Sequence, residues 1–374
     1  MSIFIGADIV PTQSNMQLFE NAEAIALIGK ELLGELSVAE KVILNLETPL
    51  VDNCSPIKKS GPSLSASTKS ANLLREIGVD IVTLANNHIM DQDVPGLEST
   101  IKTIKDLGID YIGVGDTLST IKKSIVFDYK NNKVGIYACA ETEFSIAGEN
   151  RAGANPFDSL ETPDEICALK ERCDYVIVLY HGGKEHYRYP SPKLQKRCRK
   201  MIEKGADLVI CQHSHCIGCE EKYKGATIVY GQGNFLFNMT NDEMWKTGLL
   251  IKLDDQFTIS YIPIVKTEKG VKLAEKMNAE EILREFEERS EQIKNADFIC
   301  NKYNEMSAAS YEYYRSCLNG KRGLVFKLIN KLSGYKFGKW WLNRKYGPNE
   351  IRCIRNIIEC EAHRELLLKW THQF

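Results

Sequence analysis

Short apolar runs recur along the first two-thirds of the chain, and turns or helix-like segments separate them. They lie at residues 2–7, 42–46, 80–85, 110–115, 133–139, 174–180, 206–212 and 226–231. Several have no polar break, which is typical of strands buried on both faces of a sheet. Two or three further strands are expected within 248–265. Strand-like runs that alternate with helix-like segments predict a layered α/β domain.

The helix-like segments between these runs end at glycines. Amphipathic stretches stop at Gly78, Gly108 and Gly205, where glycine readily takes the left-handed conformation that closes a helix. From about Lys266 onward, helical periodicity replaces the alternation. The sequence therefore predicts an α/β domain over residues 1–265 and a mostly helical C-terminal region over 266–374.

Charge and hydropathy restrict the partners that we expect. The formal net charge is −2, which gives the whole chain no bias toward nucleic acid, so no nucleic-acid partner is expected. No run of about 18 apolar residues exists, so no transmembrane helix is expected. The start "MSIFIGAD" lacks the basic and apolar regions of a signal peptide. Twelve cysteines without an export signal indicate reduced thiols, so we expect a cytoplasmic protein.

Polar side chains follow six of the apolar runs, at the point where each predicted strand ends. They are Asp8, Asn45, Glu47, Asn86, Asn87, His88, His181, His213, His215 and Asn234. In α/β sheets, ligand sites form at the carboxyl ends of the strands. Carboxylate, amide oxygen and imidazole together suit Mn²⁺, Fe or Zn²⁺. Two such metals side by side would clamp a phosphate-like or carbonyl group and activate a water.

Each motif alone also has an ordinary structural explanation. "NNH" is common turn chemistry, and "GQGNF" is compatible with a tight turn. In "CQHSHC" the histidines could bind a structural zinc with Cys211, Cys216 and Cys219. However, Cys211 lies inside an apolar run, and only Cys216 and Cys219 have the two-residue spacing typical of zinc ligands. We therefore favour packing cysteines, with the histidines as one corner of a wider site.

The strand-end motifs also occur in the order found in a known family. The matching stretches are "GADIV", "NLETPL", "LANNHIMDQ", "YIGVG", "HGGKEHYRYPSP", "KGADLVICQHSHC" and "IVYGQGNFLF", across about residues 1–265. They resemble the CapA-type proteins of bacterial poly-γ-glutamate capsule synthesis, which are similar to calcineurin-type metallophosphoesterases. The resemblance implies a four-layer α/β/β/α sandwich with a mostly helical C-terminal extension.

The resemblance also implies roles for the strand-end residues. It implies two divalent metal ions (Mn, Fe or Zn), held by Asp8, Glu47, Asn87, His181, His213 and His215, with Glu47 in the bridging position. The implied catalytic residues are His88, which faces the phosphate, and Glu185. The implied substrate-binding residues are Asn45, Asn86 and Asn234.

This chain departs from the family pattern at two places. Ala7 is an extra residue between Gly6 and Asp8, and no histidine follows Asp8, so the first metal has one ligand fewer than in a typical phosphoesterase. A single metal is therefore the alternative to two. The family's His-Trp-Gly-x-Glu-Tyr reads "HGGKEH" here, and loss of the tryptophan is expected to open the pocket.

Two functions follow from this resemblance. The first is a metal-dependent hydrolase of a phosphoester, or of an amide or glycan-linked ester in a cell-envelope polymer. The second is an accessory protein of capsule synthesis that binds an anionic polymer without turning it over. The substrate expected is accordingly a small molecule or an anionic polymer.

A basic and aromatic stretch at residues 319–348 predicts a further contact. It contains eight Lys or Arg and no Asp or Glu. Aromatic residues are interleaved with them, as in segments that lie on membrane surfaces, and they include Tyr335, Phe337, Trp340, Trp341 and Tyr346. We expect it to contact an anionic surface such as a membrane. The alternative is a solvated helix packed on the main domain.

Overall fold

The computed structural model describes residues 2–240, 242–318 and 324–371. The strands are β1 (Ile3–Val10), β2 (Lys41–Leu46), β3 (Ile81–Thr83), β4 (Asp110–Ile112), β5 (Val114–Gly115), β6 (Ser124–Tyr129), β7 (Asn132–Ala140), β8 (Gly153–Ala154), β9 (Tyr175–His181), β10 (Leu208–Gln212), β11 (Glu220–Tyr223), β12 (Ala226–Val229), β13 (Asn234–Phe237), β14 (Thr247–Leu253), β15 (Ile259–Lys266) and β16 (Val271–Leu273). The helices are α1 (Met16–Glu20), α2 (Ala24–Ile28), α3 (Lys30–Ser37), α4 (Asn72–Glu76), α5 (Asp93–Asp106), α6 (Glu161–Lys170), α7 (Pro192–Glu203), α8 (Lys276–Gln292), α9 (Ala296–Leu318), α10 (Leu324–Leu332), α11 (Lys336–Lys345), α12 (Pro348–Glu359) and α13 (Glu361–Thr371).

The strands form two large sheets and a small ribbon. The first sheet has the order β16-β15-β14-β1-β2-β3-β4, and β13 also pairs with β1. Strands β13, β1, β2, β3 and β4 run parallel, and β14 to β16 add an antiparallel edge. The second sheet has the order β11-β12-β10-β9-β7-β6, with a parallel centre and antiparallel edges. Strands β5 and β8 form the ribbon.

The two sheets pack face to face between layers of helices. Along β9, Ile177 and Leu179 belong to the core shared with the first sheet. The alternate residues Val176 and Val178 belong to a second core with side chains of α6 and α7. Successive strand residues point to opposite faces, so β9 is covered on both sides. This arrangement confirms the predicted four-layer α/β/β/α sandwich.

The extra residue Ala7 is absorbed by a β-bulge in β1. Ile5 pairs with Ile43 of β2, but Asp8 pairs with Asn45, so β1 has one residue more than β2 across this interval. A Cβ on Gly6 would lie 2.4 Å from Leu44 Cδ2, so a larger residue does not fit there without movement. The bulge leaves Asp8 in register with Asn45 despite the insertion.

The chain divides into two compact units, Met1–Cys300 and Asn301–Phe374. Helices follow β16 to the end of the described chain, as predicted for the C-terminal region. The exact domain boundary at residue 265 stays a prediction. Among the helices that the structure describes, none has the length and apolar character needed to cross a membrane. Lys321 and Arg322 of the basic stretch lie outside the described residues.

Candidate metal centre

The two sheets bring strand-end side chains to the same place. In the first sheet, Asp8 of β1 is in register with Asn45 of β2 and with Asn234 of β13. In the second sheet, His181 ends β9 beside Gln212 of β10. The predicted metal and substrate residues at these strand ends are all buried. Because both sheets place the carboxyl ends of parallel strands here, the site lies where α/β folds form ligand sites.

Three buried side chains form the most compact part of the cluster. One ligand atom each from Glu47, His213 and His215 lies within 4.8 Å of the others. His181 joins them, because its Nε2 is 3.2 Å from Glu47 Oε1 and 3.0 Å from Asn87 Oδ1. Carboxylate, imidazole and amide groups therefore lie together at this place.

Several polar atoms in this cluster have no hydrogen-bond partner within the described chain. They include both carboxylate oxygens of Glu47, Oδ2 of Asp8 and Nδ1 of His213. Leaving such buried atoms unpaired is costly, and buried charges are normally paired or bound to metals. A divalent cation would satisfy carboxylate oxygens and neutral imidazoles together. The residues present therefore fit a metal ion.

A chain of side-chain amides orients the Asp8 carboxylate. Asn45 Nδ2 donates to Asp8 Oδ1 at 2.6 Å, and Asn86 Nδ2 donates to Asn45 Oδ1 at 3.1 Å. Asn86 Nδ2 also donates to the Leu46 carbonyl at 2.9 Å. Hydrogen bonds of this kind fix the direction of a metal-ligating carboxylate. The substrate-binding roles expected for Asn45 and Asn86 stay predictions.

Asn234 orients a histidine in a similar way. Its Oδ1 lies 2.9 Å from His215 Nδ1, which is also 3.3 Å from Asp8 Oδ2. This contact engages Nδ1 and leaves Nε2 of His215 for a ligand. The other amide atom, Asn234 Nδ2, is buried and has no partner among the described residues. It is therefore available to an oxygen of a bound molecule.

His88 is held by two residues that sequence reasoning missed. Its Nδ1 lies 2.6 Å from Asp91 Oδ2, and Leu64 N donates to the same oxygen at 2.6 Å. Lys59 forms an ion pair with Asp91 Oδ1, and both of these side chains are buried. Asp91 stands three residues after His88 in "NNHIMD", so its contact with His88 could have been predicted from this spacing. Lys59 lies in an irregular loop, and no pattern marks it.

Glu141 is a third missed neighbour, whereas Glu185 stands apart. Glu141 Oε1 is 3.8 Å from His213 Nε2, and its Oε2 accepts a hydrogen bond from Gly183 N at 3.2 Å. Glu185 is half-buried and makes no hydrogen bond or ion pair with other described residues. Its catalytic role stays a prediction that its position does not strengthen.

The buried charges move the pKa values of the histidines in opposite directions. Burial lowers the pKa of His213, and the neighbouring His181 and His215 lower it further. Burial also disfavours charge on His215, but Asp8 and Glu47 outweigh it and raise the pKa of His215 to about 9. Burial opposes charge on Asp8 too, yet His215 and His181 lower the pKa of Asp8 overall. A bound cation would replace the His215 proton as the positive charge beside Asp8 and Glu47.

The "HSH" segment is strained and packed against aromatic rings. His213 has φ of 85° and His215 has φ of 54°, in the left-handed region that non-glycine residues rarely adopt. The His215 ring centroid is 4.6 Å from that of Trp245 and 5.4 Å from that of Phe237. Strain of this kind is concentrated at functional sites, where the surrounding packing maintains it.

The cysteines flanking these histidines are packing residues. Cys211 Sγ lies 3.6 Å from Cys198 Sγ in the core between the second sheet and its helices. Cys216 and Cys219 are fully buried. The hydrogen bond with Cys198 and burial raise the pKa of Cys211, and burial raises the pKa of Cys219. Among the described residues, the side chains grouped closely enough to hold a metal are Glu47, His213 and His215, without a cysteine, so the zinc-knot alternative loses its support.

Replacement of Cys211, Cys216 and Cys219 together by alanine is expected to leave metal content unchanged. The variant should be less stable, by about 1 kcal/mol for each buried site. Elemental analysis of the folded variant measures the first effect, and denaturant unfolding measures the second. Loss of metal from the folded triple variant would revive the zinc-knot interpretation.

A buried carboxylate and imidazole cluster between the two sheets of a four-layer sandwich defines the chain as an α/β protein with a candidate metal centre. Residues 3–239 match the family described as "Bacterial capsule synthesis protein PGA_cap". The chain therefore belongs to this family.

Individual relatives agree with the family match. The chain is 30% identical to the capsule biosynthesis protein CapA of Bacillus anthracis over 184 residues, covering 47% of this chain and 44% of the relative. It is 31% identical to the PGA biosynthesis protein CapA of Bacillus subtilis over 179 residues, covering 47% of each. The chain thus spans about half the length of these relatives. It is also similar to the crystal structure of a novel phosphatase from Mycoplasma pneumoniae, with a TM-score of 0.45 and 16% identity, covering 71% of this chain and 93% of that chain.

Proposed function

We propose that the protein is a metal-dependent hydrolase of a phosphoester or related bond, acting on a small molecule or an anionic polymer in cell-envelope polymer metabolism. One observation carries this proposal. Buried carboxylate and imidazole atoms of Glu47, Asp8 and His213 make no hydrogen bond of good geometry within the described chain, and only histidines lie beside the carboxylates as charge partners. A protein that only bound a polymer at its surface would not need such a buried, charged arrangement.

The proposed cofactors are two divalent ions, Mn, Fe or Zn. Glu47, His213 and His215 form one group, and Asp8, Asn87 and His181 supply further atoms around it. When bound, the ions would supply an activated water and polarise the bond to be hydrolysed. A single ion is the alternative, because no histidine follows Asp8 and the first metal has one ligand fewer than in a typical phosphoesterase.

His88 is the residue we assign to proton transfer or to stabilisation of developing charge. The Asp91 carboxylate accepts from Nδ1, which leaves Nε2 of His88 for the reacting group. The positive charge of Lys59 offsets the negative charge of Asp91. The carboxylate that orients the His88 imidazole is therefore part of a neutral ion pair. A positioned imidazole typically contributes about 10²–10⁴ in rate. Asn234 Nδ2, which has no partner in the described chain, is placed to bind a substrate oxygen.

A cleft beside the metal centre supports a substrate of substantial size. It has a volume of about 830 Å³ and is bordered by Val10, Leu64 and Phe237, which adjoin Asp8, Asp91 and His215. The rest of its lining is rich in hydroxyl and amide groups, and none of the described residues that line it carries a charge. Such a lining suits a neutral polar portion of the substrate and leaves the charged portion to the metal centre.

The purified protein is expected to contain Mn, Fe or Zn at one or two equivalents per chain. The buried ligand set predicts tight binding, because without a cation the buried carboxylates of Glu47 and Asp8 have only histidines as charge partners. Elemental analysis of protein as purified, and again after dialysis against each metal, measures this. A protein that takes up no transition metal in either form would contradict the proposal.

The second candidate function is an accessory protein that binds an anionic polymer without hydrolysing it. The reduced ligand set after Asp8 favours it, and the names of the Bacillus relatives specify a biosynthetic process and no reaction. This candidate predicts metal-dependent binding of the polymer, with no turnover of any substrate by the metal-loaded protein.

We also propose a cytoplasmic location. All twelve cysteines are free, and Cys198 and Cys211 remain thiols although their sulfurs are only 3.6 Å apart. Free thiols so close together are typical of a reducing compartment. Fractionation of cells expressing the full chain, with thiol labelling, tests this.

A further inference from the structure

Helix α10 presents an apolar stripe to solvent. Val325, Leu328, Ile329 and Leu332 follow one another at spacings of three, one and three residues, which places them on one helix face. Their exposed fractions are 72%, 59%, 42% and 79%. Exposed apolar residues scattered singly are ordinary, but a contiguous stripe indicates a binding surface.

Cationic side chains accompany this stripe. Lys327 and Lys331 lie on α10, and Lys336 and Lys339 begin the next helix, α11. These four lysines form no ion pair within the described part of the chain. Residues 319–348 contain no Asp or Glu at all, although the whole chain has a net charge of −2. The positive charge is therefore concentrated next to the apolar stripe.

Exposed aromatic residues complete the surface. Tyr335, between α10 and α11, is 68% exposed, and Trp340 of α11 is 56% exposed. Tyrosine and tryptophan combine an apolar ring with a polar atom and are enriched where a bilayer meets water. Helix α10 has only nine residues, so it is far too short to cross a bilayer but long enough to lie in its surface.

We propose that the α10–α11 surface binds an anionic lipid bilayer, with the α10 stripe among the acyl chains and the lysines against the lipid phosphates. The charge of this surface distinguishes between two possible occupants, a second copy of the chain and an anionic bilayer. A second copy of the chain would bring Lys327 and Lys331 against identical lysines, which is repulsive. An anionic bilayer satisfies the apolar stripe and the lysines together. This inference does not depend on hydrolysis at the metal centre.

Vesicle flotation with the full chain tests the proposal. The protein should float with phosphatidylcholine vesicles that contain phosphatidylglycerol, and not with pure phosphatidylcholine, and added salt should weaken binding. The double variant Lys327→Gln/Lys331→Gln should bind about 25-fold more weakly, at about fivefold per lysine. The double variant Leu328→Gln/Leu332→Gln should lose binding. Circular dichroism checks that each variant is folded.

Matched changes elsewhere serve as controls. Lys193→Gln/Lys196→Gln removes two exposed lysines from α7, and Leu160→Gln changes a leucine that is 79% exposed. Both should bind vesicles like the wild type. Equal flotation with neutral and anionic vesicles, or equal binding by the α10 variants and the controls, would overturn the proposal. Failure to bind any vesicle would also contradict the proposal if the protein sedimented as an oligomer and Leu328→Gln/Leu332→Gln dissociated that oligomer. That result would show that the apolar stripe binds a second copy of the chain.

Discussion

The Glu47→Gln variant is expected to fold and to lose both its bound metal and its turnover. Glu47 is fully buried, its oxygens have no hydrogen-bond partner in the described chain, and His213 and His215 lie around it. The amide keeps the shape of the side chain but removes the negative charge that a cation needs. Changes to residues that merely orient ligands cost about 10–100-fold in metal affinity, so loss of this ligand should cost more.

Elemental analysis and thermal unfolding with and without metal measure this effect. Metal at about 1,000 times its Kd should stabilise the wild type by about 4.1 kcal/mol, and the variant should lose most of that gain. Glu143→Gln, the same change at an exposed carboxylate, should behave like the wild type. A Glu47→Gln protein that retained full metal content would show that the centre is built from other residues.

The His88→Asn variant is expected to keep its metal and its fold while turnover falls by about 10²–10⁴-fold. His88 Nδ1 is engaged by Asp91, so the side chain is held by a neighbour that is not one of the proposed metal ligands. Asparagine can occupy similar space but cannot transfer a proton at neutral pH. Metal content and turnover of the same preparation separate the two effects.

His363→Asn, on the exposed surface of α13, is the matched control and should change neither quantity. Loss of metal from His88→Asn would mean that the roles within Asn86, Asn87 and His88 are assigned wrongly. If the wild type turned nothing over and His88→Asn altered only the affinity for a polymer, the accessory function would be supported.

Strands buried on both faces were the part of the fold that the sequence predicted well. Apolar runs at 174–180 and 206–212 correspond to β9 and β10, within one or two residues at each end. Their side chains contribute to two cores, one on each face of the sheet. Since such strands need a nearly continuous apolar run, their pattern is visible without knowledge of the partner strands.

Changes of sheet and local irregularities were not predictable in the same way. Strand β13 begins only five residues after β12, yet β12 belongs to the second sheet and β13 pairs with β1 of the first. Hydropathy reports that a segment is buried, but not against which sheet. The bulge at Ala7 is likewise a matter of pairing register, which a single strand does not reveal.

The residues of the candidate site likewise include some that the sequence could predict and some that it could not. Residues directly after apolar runs, such as Asp8, Glu47 and His213, were identifiable because strand ends gather at one edge of a sheet. Glu141 directly follows β7, so the same strand-end signal applied to it. Lys59 reaches the site from a loop, where no periodicity indicates direction, and its contact with Asp91 depends on tertiary packing alone.

Turnover of a substrate panel by metal-reconstituted protein tests the proposed hydrolase most directly. The panel should contain phosphomonoesters, phosphodiesters, and amide and glycan-linked ester substrates, each offered with Mn²⁺, Fe²⁺ or Zn²⁺. We expect hydrolysis of at least one class that requires the metal and falls in His88→Asn at unchanged metal content. A protein that holds its full complement of metal and hydrolyses nothing in the panel would contradict the hydrolase proposal and favour the accessory function.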